Sequence, residues 1–176
     1  MNSRWQTGML GFALLLLPVV SPHPRANAEA TNGYVGTVTL CQGTSWLRRG
    51  NLGYTLVRAA GIRVGDAIET GANATVAFSI DDGPVVVVAP QSYVVLTRAN
   101  STWEVHLVEG ETRCIHDGNS SCDLLAGKCG VALERSIVQL ESRQQHVTVE
   151  LVAGSAKLKS GRETRYLVPN GLSVQV

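Results

Sequence analysis

The chain has 176 residues, and its 15 Lys and Arg nearly balance its 14 Asp and Glu, giving a formal net charge of +1 at pH 7. This near-neutral charge gives no electrostatic reason to expect nucleic acid or an anionic membrane as a partner. The length suits a single domain with a hydrophobic core of its own.

Residues 1–28 have the pattern of a secretory signal peptide. Arg4 lies in a short basic start, Leu10 to Val20 are apolar and uncharged, and Ala26-Asn27-Ala28 forms an A-x-A cleavage signal. A membrane-spanning helix needs roughly 20 apolar residues, about twice this run, and no cysteine stands at the cut for a lipid anchor. We therefore expect cleavage after Ala28 and a periplasmic or secreted domain over residues 29–176, with no stable membrane anchor.

The elements predicted after the signal peptide are short β-strands separated by turns, which is typical of an all-β domain. In TVAFSI, Val76, Phe78 and Ile80 alternate with small or polar residues and share one face. Asp81 to Pro84 then forms a tight turn, because Gly tolerates positive φ and Asp bonds to its own backbone. Further strands are predicted at YVGTVTL, VVVV, YVVLT, WEVHLV, HVTVELV, SAKLKS, RYLV and LSVQV.

Four cysteines, Cys41, Cys114, Cys122 and Cys129, lie in the part expected to be exported. An even number of cysteines in an oxidising compartment predicts two disulfides, for which three pairings are open. We favour one bridge within the stretch from Cys114 to Cys129 and one from Cys41 to that stretch. Residues 114–130 show no hydrophobic periodicity and are predicted to form a disulfide-tied loop.

The segment from Val131 to Ser142 fits two structures. Leu133, Ile137 and Leu140 have helix-like spacing, whereas a strand would place Val138 and Leu140 on one apolar face. Both interpretations remain open from the sequence.

A short pattern of Val, a spacer, Leu, two spacers and Gly recurs three times. Val and Leu two residues apart point into the same core, and the Gly lets the chain turn sharply without a Cβ clash. Stacked units of this kind predict a short β-solenoid or rolled sheet of short strands. The copies are Val38-Leu40-Gly43, Val105-Leu107-Gly110 and Val149-Leu151-Gly154, the last within a final repeat over residues 146–176.

Residues 35–110 carry an ordered string of residues by which the chain resembles the FecR domain. The string is Val64-Gly65-Asp66, Ile68, Thr70, Gly71, Ala74-Thr75-Val76-Ala77, Asp82-Gly83, Pro90, Ser92 and Val94-Val95-Leu96. The resemblance implies a β-solenoid-like extracytoplasmic domain of Gram-negative-type bacteria. In iron-uptake regulators that domain meets the signalling domain of an outer-membrane receptor. Those regulators also carry a cytoplasmic anti-sigma segment and a membrane span, which we expect this chain to lack.

The function expected from this resemblance is binding rather than catalysis. We predict an exported FecR-like module that contacts a protein or cell-envelope polymer through a sheet edge or an exposed strand face. One alternative is a periplasmic signalling adaptor for an outer-membrane receptor and sigma-factor pathway. Another is a zinc protein in which Cys114, His116, Cys122 and Cys129 hold the metal. Because disulfides are the favoured state of these cysteines, we expect no cofactor.

Two Asp-containing turns and two tryptophans complete the candidate residues. Gly65-Asp66 could supply a general acid or base, but a capping turn is favoured because no histidine or second acid has an evident reason to join it. Asp82-Gly83 could help to bind calcium, but a hairpin turn is favoured because EF-hand spacing is absent. Trp46 and Trp103 are possible partner contacts, although such residues more often complete a core.

Overall fold

The structure, a computed structural model, describes residues 33–144, 146–169 and 174–175. These residues form fourteen strands and no helix, so the predicted all-β class is confirmed. None of them belongs to a helix that could span a membrane. The predicted signal peptide lies outside the described residues. The strands are β1 Tyr34–Gln42, β2 Ser45–Arg49, β3 Leu52–Thr55, β4 Gly61–Arg63, β5 Ala67–Thr70, β6 Thr75–Ile80, β7 Val85–Val88, β8 Tyr93–Ala99, β9 Thr102–His116, β10 Ser121–Ala126, β11 Cys129–Arg143, β12 His146–Ser160, β13 Glu163–Leu167 and β14 Val174–Gln175.

Hydrogen bonds join these strands into one mixed sheet with two layers. Three long strands, β9, β11 and β12, belong to both layers. The front layer has the order β3-β2-β5-β8-β9-β10-β11-β12-β13. The back layer has the order β4-β1-β6-β7-β9-β11-β12-β14. Buried apolar side chains of both layers belong to one cluster, so the core lies between the layers. Over the described residues the sheet is rolled but does not close on itself.

The three strands shared by both layers, β9, β11 and β12, have 15 residues each and are longer than the sequence led us to expect. In β9 the buried residues have odd numbers up to Leu107 and even numbers from Gly110, with Val108 and Glu109 exposed between them. In β11 the same slip occurs at Glu134 and Arg135. Such a bulge bends a strand and lets it change layers while its apolar side chains stay in the core.

The glycines of the repeated sequence pattern lie where the chain passes from one layer to the other. Gly43, Gly110 and Gly154 all have positive φ, at 71°, 92° and 84°. A Cβ on Gly43 would lie 2.5 Å from the carbonyl oxygen of Asn73, and one on Gly154 would overlap the carbonyl oxygen of Arg135. Only glycine satisfies both the backbone angle and the close approach, so the pattern marks a change of layer.

The valines and leucines of the repeated pattern face the core with one exception. The pairs in β9 and β12 are buried, and so is Val38, but Leu40 is 39% exposed. The register of β1 against β6 shifts between Val38 and Leu40. Because this bulge comes before Leu40, it turns that side chain toward solvent.

The segment with two possible structures is a strand, since Val131 to Ser142 lies within β11. Val138 and Leu140 are fully buried, whereas Ile137 and Gln139 are only partly covered. The slip at residues 134–135 interrupts the alternation in the middle of the strand and so puts Leu133 and Leu140, seven positions apart, on the same buried face, whereas Ile137 lies on the other face. A periodicity test assumes an uninterrupted strand and cannot recognise this arrangement.

The prediction of a loop over residues 114–130 is wrong. The end of β9, all of β10 and the start of β11 occupy most of it. In β10, Cys122, Leu124 and Ala126 alternate as buried residues, so the cysteine serves as an apolar core residue. β10 inserts between β9 and β11 of the front layer, where it pairs in parallel with β9 and antiparallel with β11.

The predicted disulfides are not formed, because all four cysteines are free thiols. Cys41 lies in β1, where its Sγ donates to the carbonyl oxygen of Leu56 at 3.4 Å. Cys129 begins β11 opposite Ala126 of β10. The thiols of Cys114 and Cys122 do meet in the core, and their hydrogen bond, with burial, raises the pKa of Cys114 above its ordinary value.

Candidate binding face

In the turn at Gly65-Asp66, the buried Asp66 carboxylate forms hydrogen bonds that connect neighbouring strands. Gly65 has a φ of 87°, and Asp66 is 1% exposed. The Asp66 carboxylate accepts hydrogen bonds from Arg49 Nε at 2.8 Å, Arg49 Nη2 at 2.6 Å and the backbone amide of Arg63 at 2.7 Å. This bidentate pair ties β2 to the turn between β4 and β5 and holds the pKa of Arg49 above its usual value.

The turn at Asp82-Gly83 joins β6 to β7. Its backbone is closed by the amide of Gly83 donating to the carbonyl of Ile80 at 3.0 Å and by the amide of Ile80 donating to the carbonyl of Pro84 at 3.0 Å. Asp82 is exposed with a φ of 51°, a conformation that Asp tolerates better than most residues.

The cysteines and His116 do not converge on a common point. Among the described residues, no group of three His, Cys, Asp or Glu side chains could hold a metal ion, so the zinc alternative lacks a site. His116 is buried, and its Nε2 donates to the carbonyl oxygen of Ser120 at 2.7 Å. Its Nδ1 and the buried hydroxyl of Ser136, which lies opposite in the register, have no hydrogen-bond partner in the described part of the chain.

The two tryptophans have different environments. Trp103 is 3% exposed and packs in the core, with the Arg98 guanidinium 4.4 Å from its ring centroid. Because its ring is buried, Trp103 cannot contact a partner, although the sequence suggested it as a possible partner contact. Trp46 is 38% exposed on the outward face of β2.

The β3 strand, Leu52–Thr55, is an open edge of the front layer. Of the described strands, only β2 pairs with it. All four of its residues are exposed, with Leu52 at 61% and Tyr54 at 45%. Tyr54 lies opposite the buried Leu47, so the apolar inner face of the layer continues onto β3 without being covered. Unpaired backbone beside apolar side chains makes this β3 edge suited to pairing with another chain.

Four residues form a row across the outward face of the front layer, which we call the aromatic–acid row. Trp46 of β2 lies opposite Glu69 of β5, Glu69 opposite Tyr93 of β8, and Tyr93 opposite Glu109 of β9. They line a shallow cleft of about 480 Å³. Aromatic rings and carboxylates thus alternate over four strands.

Hydrogen bonds of Thr70 and Ser92, two of the residues that carry the resemblance to the FecR domain, stabilise the floor of this cleft. The Thr70 hydroxyl donates to the carbonyl of Ala89 at 2.6 Å and accepts from the amide of Ser92 at 2.9 Å. The Ser92 hydroxyl in turn accepts from the amide of Glu111 at 2.9 Å. These bonds connect β5, the turn between β7 and β8, and β9 beneath the row, and they support its side chains.

Sequence reasoning found Trp46 but neither the rest of the row nor the β3 edge. The members of the row are far apart in the sequence, and only the strand register brings them together. The β3 edge did leave a signal, because Leu52 and Tyr54 alternate directly after Gly50-Asn51, a typical hairpin turn.

Comparison with known proteins supports the fold alone. No protein-family model matches the chain, and no curated protein matches it. Two solved structures of a "putative anti-sigma factor" from Parabacteroides distasonis ATCC 8503 are similar, with TM-scores of 0.53 and 0.52 and 16% sequence identity. Each match covers 62% of this chain and 58% of the other, so the likeness extends over little more than half of that protein.

Proposed function

We propose that this chain is a FecR-like binding module that recruits a protein partner by adding one of its strands to the β3 edge. The observation that carries the proposal is the uncovered backbone of β3 next to exposed Leu52 and Tyr54. In strand addition, main-chain hydrogen bonds supply affinity and alternate side chains supply specificity. A partner strand here would also cover the apolar face that ends at Tyr54, a favourable burial of side chains.

A second candidate is a more specific form of the same activity, a periplasmic signalling adaptor between an outer-membrane receptor and a sigma-factor pathway. The fold shared with a protein whose name refers to sigma-factor control favours it. On this proposal the strand that meets the β3 edge belongs to the receptor's signalling domain. The general proposal requires only a protein partner in the envelope.

Both candidate functions require that the protein is exported from the cytoplasm. The signal-peptide pattern of residues 1–28 supports it. Expression in a Gram-negative host followed by intact-mass analysis of the periplasmic fraction tests this step. We expect a mature chain that begins at Glu29, and recovery of an uncleaved chain from the cytoplasm alone would contradict export.

The test of binding is a pull-down from the cell-envelope extract of the organism that encodes the chain. The variant Leu52→Lys with Tyr54→Lys places two charges on the β3 edge and should abolish recovery of the partner. The control variant, Tyr166→Lys with Val168→Lys, changes two exposed apolar residues in and just after β13, at the opposite end of the front layer, and should keep it. Equal recovery with both variants would contradict the proposal.

A further inference from the structure

We propose that the aromatic–acid row binds a basic side chain, lysine or arginine, presented by an extended segment of a partner protein. The site is separate from the β3 edge. It lies on the outward face of the layer, whereas strand addition uses the backbone of its edge. The inference rests on the proposed function only in taking the partner to be a protein.

The charge of the cleft favours a cation. Among the residues that the structure describes, two carboxylates, Glu69 and Glu109, line it, and no Lys, Arg or His side chain does. Glu69 is already bonded to Arg48, whose Nε lies 2.7 Å from it and which stands outside the cleft lining. Within the described part of the chain, Glu109 has no ion pair, so one carboxylate remains for a charge brought by a ligand.

The aromatic rings of the row also favour a cation as the ligand. Neighbouring strands lie about 4.8 Å apart, which puts the backbones of Trp46 and Tyr93 roughly 10 Å from each other across Glu69. A cation over the face of a Trp or Tyr ring is attracted by the negative electrostatic potential of that face. A guanidinium or ammonium over Tyr93 would therefore have an aromatic face beneath it and the Glu109 carboxylate beside it.

The bulge in β9 shapes the end of the cleft for the stem of such a side chain. Because the alternation slips there, Val108 and Glu109 are both exposed instead of one facing inward. Val108 lines the cleft next to the carboxylate. Lysine and arginine have long methylene stems that pack on apolar surface while the charged head bonds elsewhere, so Val108 and the Trp46 ring complement the stem.

The decisive experiment titrates the full mature chain with the peptide acetyl-Thr-Val-Arg-Val-Thr-amide and follows the indole N–H of Trp46 by NMR. A second peptide carries citrulline in place of arginine, which keeps the shape and removes the charge. We expect the arginine peptide to bind at least about fivefold more tightly, and more tightly still at low salt. Equal affinity for the two peptides would overturn the proposal.

Matched variants assign the binding to the row. Glu109→Gln and Trp46→Ala should each weaken the arginine peptide about fivefold or more, a loss typical of one charge-assisted or cation–π contact. Glu150→Gln and Tyr166→Ala remove an exposed carboxylate and an exposed aromatic ring elsewhere and should leave affinity unchanged. Unchanged affinity in Glu109→Gln, or displacement of the peptide by neutral oligosaccharides, would contradict the assignment.

The same variants separate binding at the aromatic–acid row from strand addition at the β3 edge. Leu52→Lys with Tyr54→Lys leaves the row intact and should bind the arginine peptide with unchanged affinity while losing the partner in the pull-down. If the peptide shows no preference for charge but the pull-down responds to the β3 variant, the row proposal alone fails. The opposite pattern would contradict strand addition alone.

Discussion

Asp66 gives the clearest case of one residue on which several elements depend. Its buried carboxylate receives three hydrogen bonds, two from Arg49 and one from the backbone of Arg63. Removing one partner of such a pair costs far more than the pair contributes, because the remaining charge is left without an acceptor. The sequence indicated a turn residue here and gave no sign of Arg49, which lies 17 residues away.

We therefore expect Asp66→Ala to lower the free energy of unfolding by about 2–4 kcal/mol. The matched control is Glu163→Ala, which breaks the pair with Arg165 on the surface, where both side chains are mostly exposed. That variant should change stability by less than about 1 kcal/mol. Urea unfolding of the three proteins measures the difference, and similar losses in both variants would contradict the role assigned to Asp66.

Asp123 allows a prediction about pH. Burial raises the pKa of its carboxyl above the ordinary value, Lys159 opposes that shift and the nearby Glu104 adds to it. The folded protein thus holds this proton to a higher pH than the unfolded chain. The contribution of Asp123 to the free energy of unfolding is therefore complete below the pKa of the unfolded state. It is lost as the pH rises from that pKa through the higher pKa of the folded state.

The variant Asp123→Asn removes that loss. At pH 7 it should raise the free energy of unfolding by up to about 0.5 kcal/mol, the scale of a partly exposed site. At pH 3, where the carboxyl is protonated in both states, it should have no effect. Unfolding curves at the two pH values test the sign, and destabilisation at pH 7 would contradict it.

At the scale of elements, the passage of the chain between layers depends on glycine. Gly154→Ala should cost about 2–5 kcal/mol, because a left-handed backbone and an overlap with the carbonyl of Arg135 act together. Gly161 has a positive φ but open space, so Gly161→Ala should cost only about 1–2 kcal/mol. Gly53 has neither constraint, and Gly53→Ala should lie within about 0.5 kcal/mol of the parent. Thermal or urea unfolding ranks the three, and any other order would contradict this account.

The elements also mark where sequence reasoning reached its limit. The strict alternation of apolar residues in β6 predicts that strand, and Val76, Phe78 and Ile80 are all buried. The full length of β9 and β11 cannot be predicted in this way, because a slip in each strand breaks the two-residue period that identifies a strand. The wrong prediction of a loop over residues 114–130 has a related cause. The sequence pattern suggests that the cysteines there are cross-links, whereas Cys114 and Cys122 are apolar core residues.

At the scale of the whole molecule, the all-β class followed from the many short apolar segments, and the repeated pattern correctly indicated sharp turns at glycine. The pairing of strands could not be read in the same way. Parallel pairing of β10 with β9, and the register that assembles the aromatic–acid row, depend on contacts between distant segments. The candidate binding face is therefore a property of the register, and composition or local motifs do not reveal it.

The central claim is that a strand of a partner protein pairs with β3 at the edge of the front layer. Amide hydrogen exchange of the protein, measured alone and with the partner recovered from envelope extract, tests this claim most directly. The account predicts that the amides of Gly53 and Thr55, which point away from β2, exchange slowly only when the partner is bound, because its strand then accepts their hydrogen bonds. Protection confined to residues 114–130, with β3 unchanged, would contradict it.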